Sequence, residues 1–203
     1  MKRSLKEITL RLVLLFTGLV IAHLGVTLFL LTELGADPFN VFVQGIFRTL
    51  RNFLGMLTHG YTHVSICIII ILLLLIIDKS YIKIGTVVCM VFGGPIIDFF
   101  TRILNTFIHA GNPFALRIAT LAAGCVILAF GMTIVIKSDA GTGPNDLVAI
   151  VISDKQSKPF GQVRIIVDFC FVAIGFLLGG AVGIGTIISA FLVGPIAGVF
   201  LPY

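Results

Sequence analysis

The chain has 203 residues, of which 58% are hydrophobic and only 11% charged, with a formal net charge of +5. A soluble domain of this size needs far more polar surface to cover itself, so the composition excludes an ordinary soluble fold and points to the lipid bilayer. The basic residues do not gather into a groove-sized patch, which removes nucleic acid as a partner.

A bilayer core takes about 20 apolar residues as helix. Six stretches approach or exceed that length, near 11–34, 61–78, 83–106, 115–136, 164–180 and 182–202. The first follows Lys2, Arg3 and Lys6 and begins at Arg11, a basic start like that of a signal peptide. Its apolar run is too long and no small-x-small cleavage site follows, so it is expected to remain as a span. His23 sits mid-span and reads as a hydrogen-bonded core histidine rather than a proton relay.

After the first span comes the break Leu34-Gly35-Ala36-Asp37-Pro38-Phe39-Asn40. Glycine permits the turn that ends a helix and proline suits the first turn of the next, with Asp37 as its N-cap. The segment Phe39 to Phe47 then runs into Arg48 and Arg51 and is too short to cross. Two spans follow, the second containing Gly94-Pro95 and Asp98. After the fourth span the break returns as Ala140-Gly141-Thr142-Gly143-Pro144-Asn145-Asp146, followed by a short segment from Asn145 to Ser153. The fifth span opens on Arg164 and Asp168, four apart and so on one helical face, where they can pair. Ionisable side chains inside a span are costly and usually face a partner or a cavity. Snorkelling to the surface remains an alternative for Arg164, but not for the shorter, deeper Asp168. The last span contains Gly194-Pro195 and Gly198. The Gly-Pro pairs are expected to kink or loosen their helices, and Gly194/Gly198 and Gly175/Gly179/Gly183 to form small faces for close packing.

The order of elements repeats. Gly18, Gly25, Thr27, Gly35 and Pro38 recur 106 residues later as Gly124, Gly131, Thr133, Gly141 and Pro144. Ile84-Gly85-Thr86 and Gly94-Pro95-Ile96 recur 100 residues later as Ile184-Gly185-Thr186 and Gly194-Pro195-Ile196. The reading is a single polytopic domain over 1–203, with repeat one at 11–106 and repeat two at 115–202. It is an all-α membrane protein of six transmembrane helices plus two short broken, re-entrant or interfacial helices. Three crossings per copy invert the second copy relative to the first. If both short elements crossed, eight spans and parallel repeats would result; length favours six. With six spans, ten basic residues fall on the side of the N-terminus against four on the other, which places both termini in the cytoplasm of a bacterial plasma membrane. The eight-span count also satisfies the charge rule. The charges are not repeated: opposite Arg164 and Asp168, copy one has only His63 to Cys67.

Cys67, Cys89, Cys125 and Cys170 all fall in apolar spans without C-x-x-C spacing, and His59, His63 and His109 are scattered, so no metal or cofactor is expected. No nucleophile–base pair marks an enzyme. The candidate ligand-binding residues are Gly141, Gly143, Pro144, Asn145, Asp146, Arg164 and Asp168, with Gly35, Pro38 and Asn40 from the first break. Gly94, Pro95, Gly194, Pro195 and Gly198 are candidates for packing or hinge roles. At the second break, helix N-terminal N–H groups suit an anionic group. The expected function is a small secondary transporter or exporter of an anionic or zwitterionic solute, bound between the repeats. Alternatives are a substrate-binding subunit of a larger transporter and a non-transporting scaffold or regulator, with a homo-oligomer or another membrane protein as possible partner.

These residues carry a resemblance. Gly141 to Asp146, Val163-Arg164 with an acid at Asp168, Gly179 to Thr186 and Gly194-Pro195 together resemble the bacterial YczE/YyaS/YitT-type integral membrane proteins. The resemblance implies a multi-pass plasma-membrane protein and names no substrate. It also implies a glutamate where this chain has Asp168, and an arginine in the stretch Lys155 to Lys158.

Overall fold

The structure, a computed structural model, describes residues 5–51, 53–55, 57 and 59–201. Lys2, Arg3, Tyr203 and the side chain of His59 lie outside the described residues. Among those described there are eight α-helices and no strand: α1 Leu5–Leu31, α2 Pro38–Arg51, α3 His59–Asp78, α4 Ile84–Leu104, α5 Phe114–Lys137, α6 Pro144–Gln156, α7 Phe160–Leu177 and α8 Ile184–Phe200. Five are long and apolar enough to cross a membrane, namely α1, α3, α4, α5 and α7. The expected sixth span, α8, is apolar but has 17 residues, about 26 Å at 1.5 Å per residue.

The short elements are longer than the sequence suggested. α2 has 14 residues and α6 has 13, because each helix absorbs its polar end instead of stopping at the first charge. Arg48 and Arg51 occupy the last turn of α2 and Lys155 that of α6, where cations favour the negative end of the helix dipole. At about 20 Å each, both remain too short for a full crossing.

Glycine brings the long helices together. α1 and α5 run antiparallel in close contact along Gly18 and Gly25 on one side and Gly124 and Gly131 on the other. A Cβ on Gly18 would lie 2.8 Å from the Val135 nitrogen, and one on Gly124 2.8 Å from the Gly25 oxygen. Gly25 and Gly131 sit just as tightly on the backbones of Leu128 and Ala22. Backbones approach this closely only where no side chain intervenes.

Each end of the α1/α5 pair is tied in the same manner. At one end Arg117 Nε donates to the Thr32 carbonyl at 2.7 Å, and Gly185 N donates to the Leu34 carbonyl at 2.9 Å. At the other, Arg11 reaches the Ser138 carbonyl at 3.5 Å, and Gly85 N donates to the Ala140 carbonyl at 2.8 Å. Arg11 also pairs with Asp139 at 2.5 Å, and Lys83 joins the same carboxylate. The turns that leave α1 and α5 match too: Glu33 and Asp139 have φ of 50° and 54°, Gly35 and Gly141 φ of 145° and 127°.

The remaining helices interleave. α2 packs on α7 and α6 on both α3 and α7, while α4 lies on α1 and α8 on α5 and α7. Gly45 of α2 meets Gly175 of α7, and Gly194 and Gly198 of α8 meet Gly161 of α7. Of the expected small faces, Gly194/Gly198 is therefore a packing face. Gly179 and Gly183 do not extend a helical face from Gly175, since α7 ends at Leu177 and both lie in the turn before α8, where Gly183 packs closely on Leu34 and Gly35. Gly94 has open space around it, and α4 and α8 continue as helix through Pro95 and Pro195. Much of the outer surface is apolar, including Ile68, Leu72, Ile76, Val87, Val91 and Phe169, as a lipid-facing surface requires.

Thr86 and Thr186 sit at matching positions but differ in bonding. Thr186 Oγ1 donates to the Ala36 carbonyl at 2.6 Å, whereas Thr86 Oγ1 has no partner. Thr186→Val should therefore cost about 1 kcal/mol and Thr86→Val close to nothing, read from thermal unfolding in detergent. Equal losses would mean that the hydroxyl bond to Ala36 adds no stability.

Candidate functional site

The first turn of α6 begins with Gly143 as N-cap and Pro144 in the first helical turn, which brings Asn145 and Asp146 to its exposed N–H end. Gly143 is tight for a local reason: a Cβ there would lie 2.9 Å from Asn145 Oδ1. Pro144 is buried, Gly141 lies against the backbone of Gly85 and Thr86, and Thr142 is buried with no partner for its hydroxyl. The first turn of α2 is built similarly. Asp37 Oδ1 accepts from Asn40 N at 3.2 Å, as an N-cap does, and Asp37 Oδ2 accepts from Asn40 Nδ2 at 2.5 Å. Pro38 is buried at the start of α2, and Gly35 lies against Gly183 and Thr186.

α7 supplies the centre. It begins at Phe160, four residues before the expected start of the fifth span, so Arg164 lies one turn inside it. Arg164 is 8% exposed and Asp168 1%, so the guanidinium does not snorkel. Arg164 Nε donates to Asp168 Oδ2 at 2.9 Å and its NH1 to Asp146 Oδ1 at 2.5 Å. One guanidinium thus ties α7 to the N-terminus of α6, and its fork suits two carboxylates at once. Asn145 Nδ2 donates to the same Asp146 oxygen at 3.1 Å. Met132 of α5 closes the far side, its sulfur 3.8 Å from Arg164 NH1.

Asp168 Oδ1 is buried and has no hydrogen-bond partner. Phe39 in the first turn of α2 meets Phe171 of α7 edge-on at 5.4 Å, and Asp146 of α6 shares Arg164 with Asp168. The N-termini of both short helices therefore lie on the middle of α7, with Asp37 and Asp146 facing the field of Asp168. Asp146 is also in range of His23 on α1 and Cys89 on α4. Gly93 makes room for His23, whose Nε2 would lie 2.7 Å from a Cβ at that position.

Of the candidate residues, Asn145, Asp146, Arg164 and Asp168 form one bonded group, while Asn40 and Pro38 belong to the opposite short helix beside Asp37. Gly35, Gly141 and Gly143 shape the backbone around them. Gly94, Pro95, Gly194, Pro195 and Gly198 are on α4 and α8, away from the group's hydrogen bonds. In the sequence Asp37 has only a capping role and His23 that of a core histidine. Arg11 with Arg117 and Glu33 with Asp139 share the 106-residue spacing of the glycines, the one signal in the sequence that marks them. Among the described residues, no group of three His, Cys, Asp or Glu is placed to hold a metal ion.

A family model described as DUF6198, a family of unknown function, matches residues 9–202. The chain belongs to that family. Among its relatives, an uncharacterized membrane protein of Bacillus subtilis, YczE, is 28% identical over 198 residues, covering 97% of this chain and 88% of YczE. The B. subtilis protein YyaS is 25% identical over 186 residues, covering 91% of this chain and 89% of YyaS. An uncharacterized protein of Haemophilus influenzae is 28% identical over 189 residues, covering 93% and 82%. No solved structure matches. This DUF6198 protein is thus a membrane protein of the YczE/YyaS type, as the resemblance in its sequence implied.

Proposed function

We propose that this DUF6198 protein is a small secondary carrier whose solute binds where the N-termini of α2 and α6 meet Arg164 and Asp168. The single observation that supports this most is the Asp146–Arg164–Asp168 group, with Arg164 and Asp168 buried and Asp146 partly so, lying at the start of a short helix. Short helices that begin at membrane depth beside unpaired polar atoms are how many carriers hold solute and coupling ion. A charged group of this kind is expensive in a membrane unless it serves a function. Of the anionic and zwitterionic solutes that the sequence suggests, the zwitterionic class suits the site better, because both sides of the guanidinium already hold carboxylates. Reconstituted in proteoliposomes and screened against labelled small polar solutes, the protein should move at least one, and Asp168→Asn should abolish that flux. Undiminished flux in Asp168→Asn would remove Asp168 from the mechanism. Copurification with an ATPase module would favour the substrate-binding subunit instead.

The reading includes two inverted repeats and six crossings, with both termini in the cytoplasm. It is supported by the antiparallel α1 and α5, by the matched bonds from Arg11 and Arg117, and by those from Gly85 and Gly185. In this arrangement the basic ends of α2 and α6 emerge on opposite faces of the membrane. Arg51→Cys should therefore react with an impermeant maleimide added outside whole cells, and Lys155→Cys only after the cells are opened. Labelling of both from the same side would overturn the inversion.

A further inference from the structure

The group around Arg164 is unevenly charged. Asp37, Asp146 and Asp168 contribute three carboxylates and Arg164 one guanidinium. The N-termini of α2 and α6 add about half an elementary charge each. With all three carboxylates ionised, the group is about one positive charge short of neutrality.

A donor is missing at one atom as well, Asp168 Oδ1. A carboxylate only accepts, so Asn40 and Asn145 must turn their NH₂ groups to Asp37 and Asp146, which leaves both amide oxygens as acceptors. A carbonyl also only accepts, so His23 Nδ1 carries the hydrogen that it donates to the Leu19 carbonyl at 2.8 Å. The Nε2 of the neutral ring then holds a lone pair. Asp168 Oδ1 has nothing to accept from. Among the helices around the group, α3 sets His63 edge-on against Phe39 in the first turn of α2, α4 brings Cys89 into range of Asp146, and α8 carries no titratable side chain. Arg164 gives Nε to Asp168 Oδ2 and NH1 to Asp146 Oδ1, and none of its N–H groups reaches Asp168 Oδ1.

We propose that the solute carries a protonated amine, and that its ammonium group docks on Asp168 Oδ1. This deepens the carrier reading and rests on it for the word solute, but the ammonium site itself does not depend on transport. An ammonium supplies both missing features, one positive charge and several N–H donors. An anion would add to the imbalance. A bare metal cation needs a cage of several oxygen ligands, and a single orphaned carboxylate oxygen does not make one.

The test is thermal unfolding of the purified full chain in detergent, with methylammonium chloride, tetramethylammonium chloride, sodium chloride, potassium chloride and sodium acetate at equal ionic strength. Methylammonium should raise the Tm by about 2–4 °C at concentrations well above its Kd. Tetramethylammonium, which has no N–H, should not, and neither should sodium, potassium or acetate. Asp168→Asn should lose the methylammonium shift, and Asp98→Asn on the exposed face of α4 should keep it. If Asp168→Asn does not fold, the contrast between methylammonium and tetramethylammonium in the unaltered protein decides the matter. The absence of a methylammonium shift, an equal shift with sodium or potassium, or a shift with acetate would each overturn the proposal. A methylammonium shift in a protein that moves no solute would remove the carrier reading and leave the ammonium site standing. Flux of amine-free solutes without a methylammonium shift would do the reverse.

Discussion

Arg164→Ala is expected to destabilise the protein by about 3–5 kcal/mol, the cost of leaving buried charge without its partner. Two carboxylates lose their shared cation at once, and Asp168 is only 1% exposed. Asp168→Ala should cost less, because Arg164 retains Asp146 at 2.5 Å. The double variant Arg164→Ala/Asp168→Ala should be less damaged than the sum of the two single changes, since removing both partners removes the unpaired charge. Thermal unfolding of the four proteins in detergent gives the coupling. Additive losses would mean that the pair is solvated and that the site is more open than its burial indicates. Lysine at position 164 should not rescue, for a point charge cannot fork between two carboxylates.

Gly131→Leu should be the most damaging single change along the α1/α5 crossing. The added side chain would meet the Ala22 backbone, which cannot rotate away as a side chain can. Overpacking against movable neighbours costs about 1–3 kcal/mol, so a clash with backbone belongs at the top of that range or beyond it. Gly94→Leu is the control, because nothing lies near a Cβ there, and it should change stability by no more than about 0.5 kcal/mol. Expression level and the elution profile in detergent read both. A tolerated Gly131→Leu would show that α1 and α5 can separate by the width of a side chain.

Much of this architecture could be read from residue types whose physical demands are narrow. Glycines repeated at a fixed spacing marked the α1/α5 contact, because only close backbones penalise every other residue there. Gly-x-x-Pro breaks located both short helices, since a left-handed turn and a proline at a helix start are local requirements. Arg164 and Asp168 were legible as a pair from their four-residue spacing. Their third partner was harder to see: Asp146 is 18 residues away and its bond depends on how α6 is laid against α7. Asp37 is more remote still, and only the tertiary fold brings it near Asp168. The ends of α2 and α6 lie beyond the first charges in their sequences, because basic residues in a last helical turn are favourable. Both Gly-Pro pairs sit in continuous helix, and hydrophobic pattern alone does not say whether neighbouring side chains will cover a proline.

The interleaving of helices bears on how the chain is made. α2 finds its main support on α7, and α1 finds its own on α5, more than sixty residues further on in each case. While α1 to α4 leave the translation machinery, the Asp37 end of α2 has neither Arg164 nor the groove of α7 beside it. The early chain must therefore wait in the bilayer, with α2 held by α3 alone, until α7 arrives. Truncation after α4 should leave a product for quality-control proteases rather than a stable half, and membrane insertases or chaperones that shelter polar segments are the cellular factors on which its yield should depend.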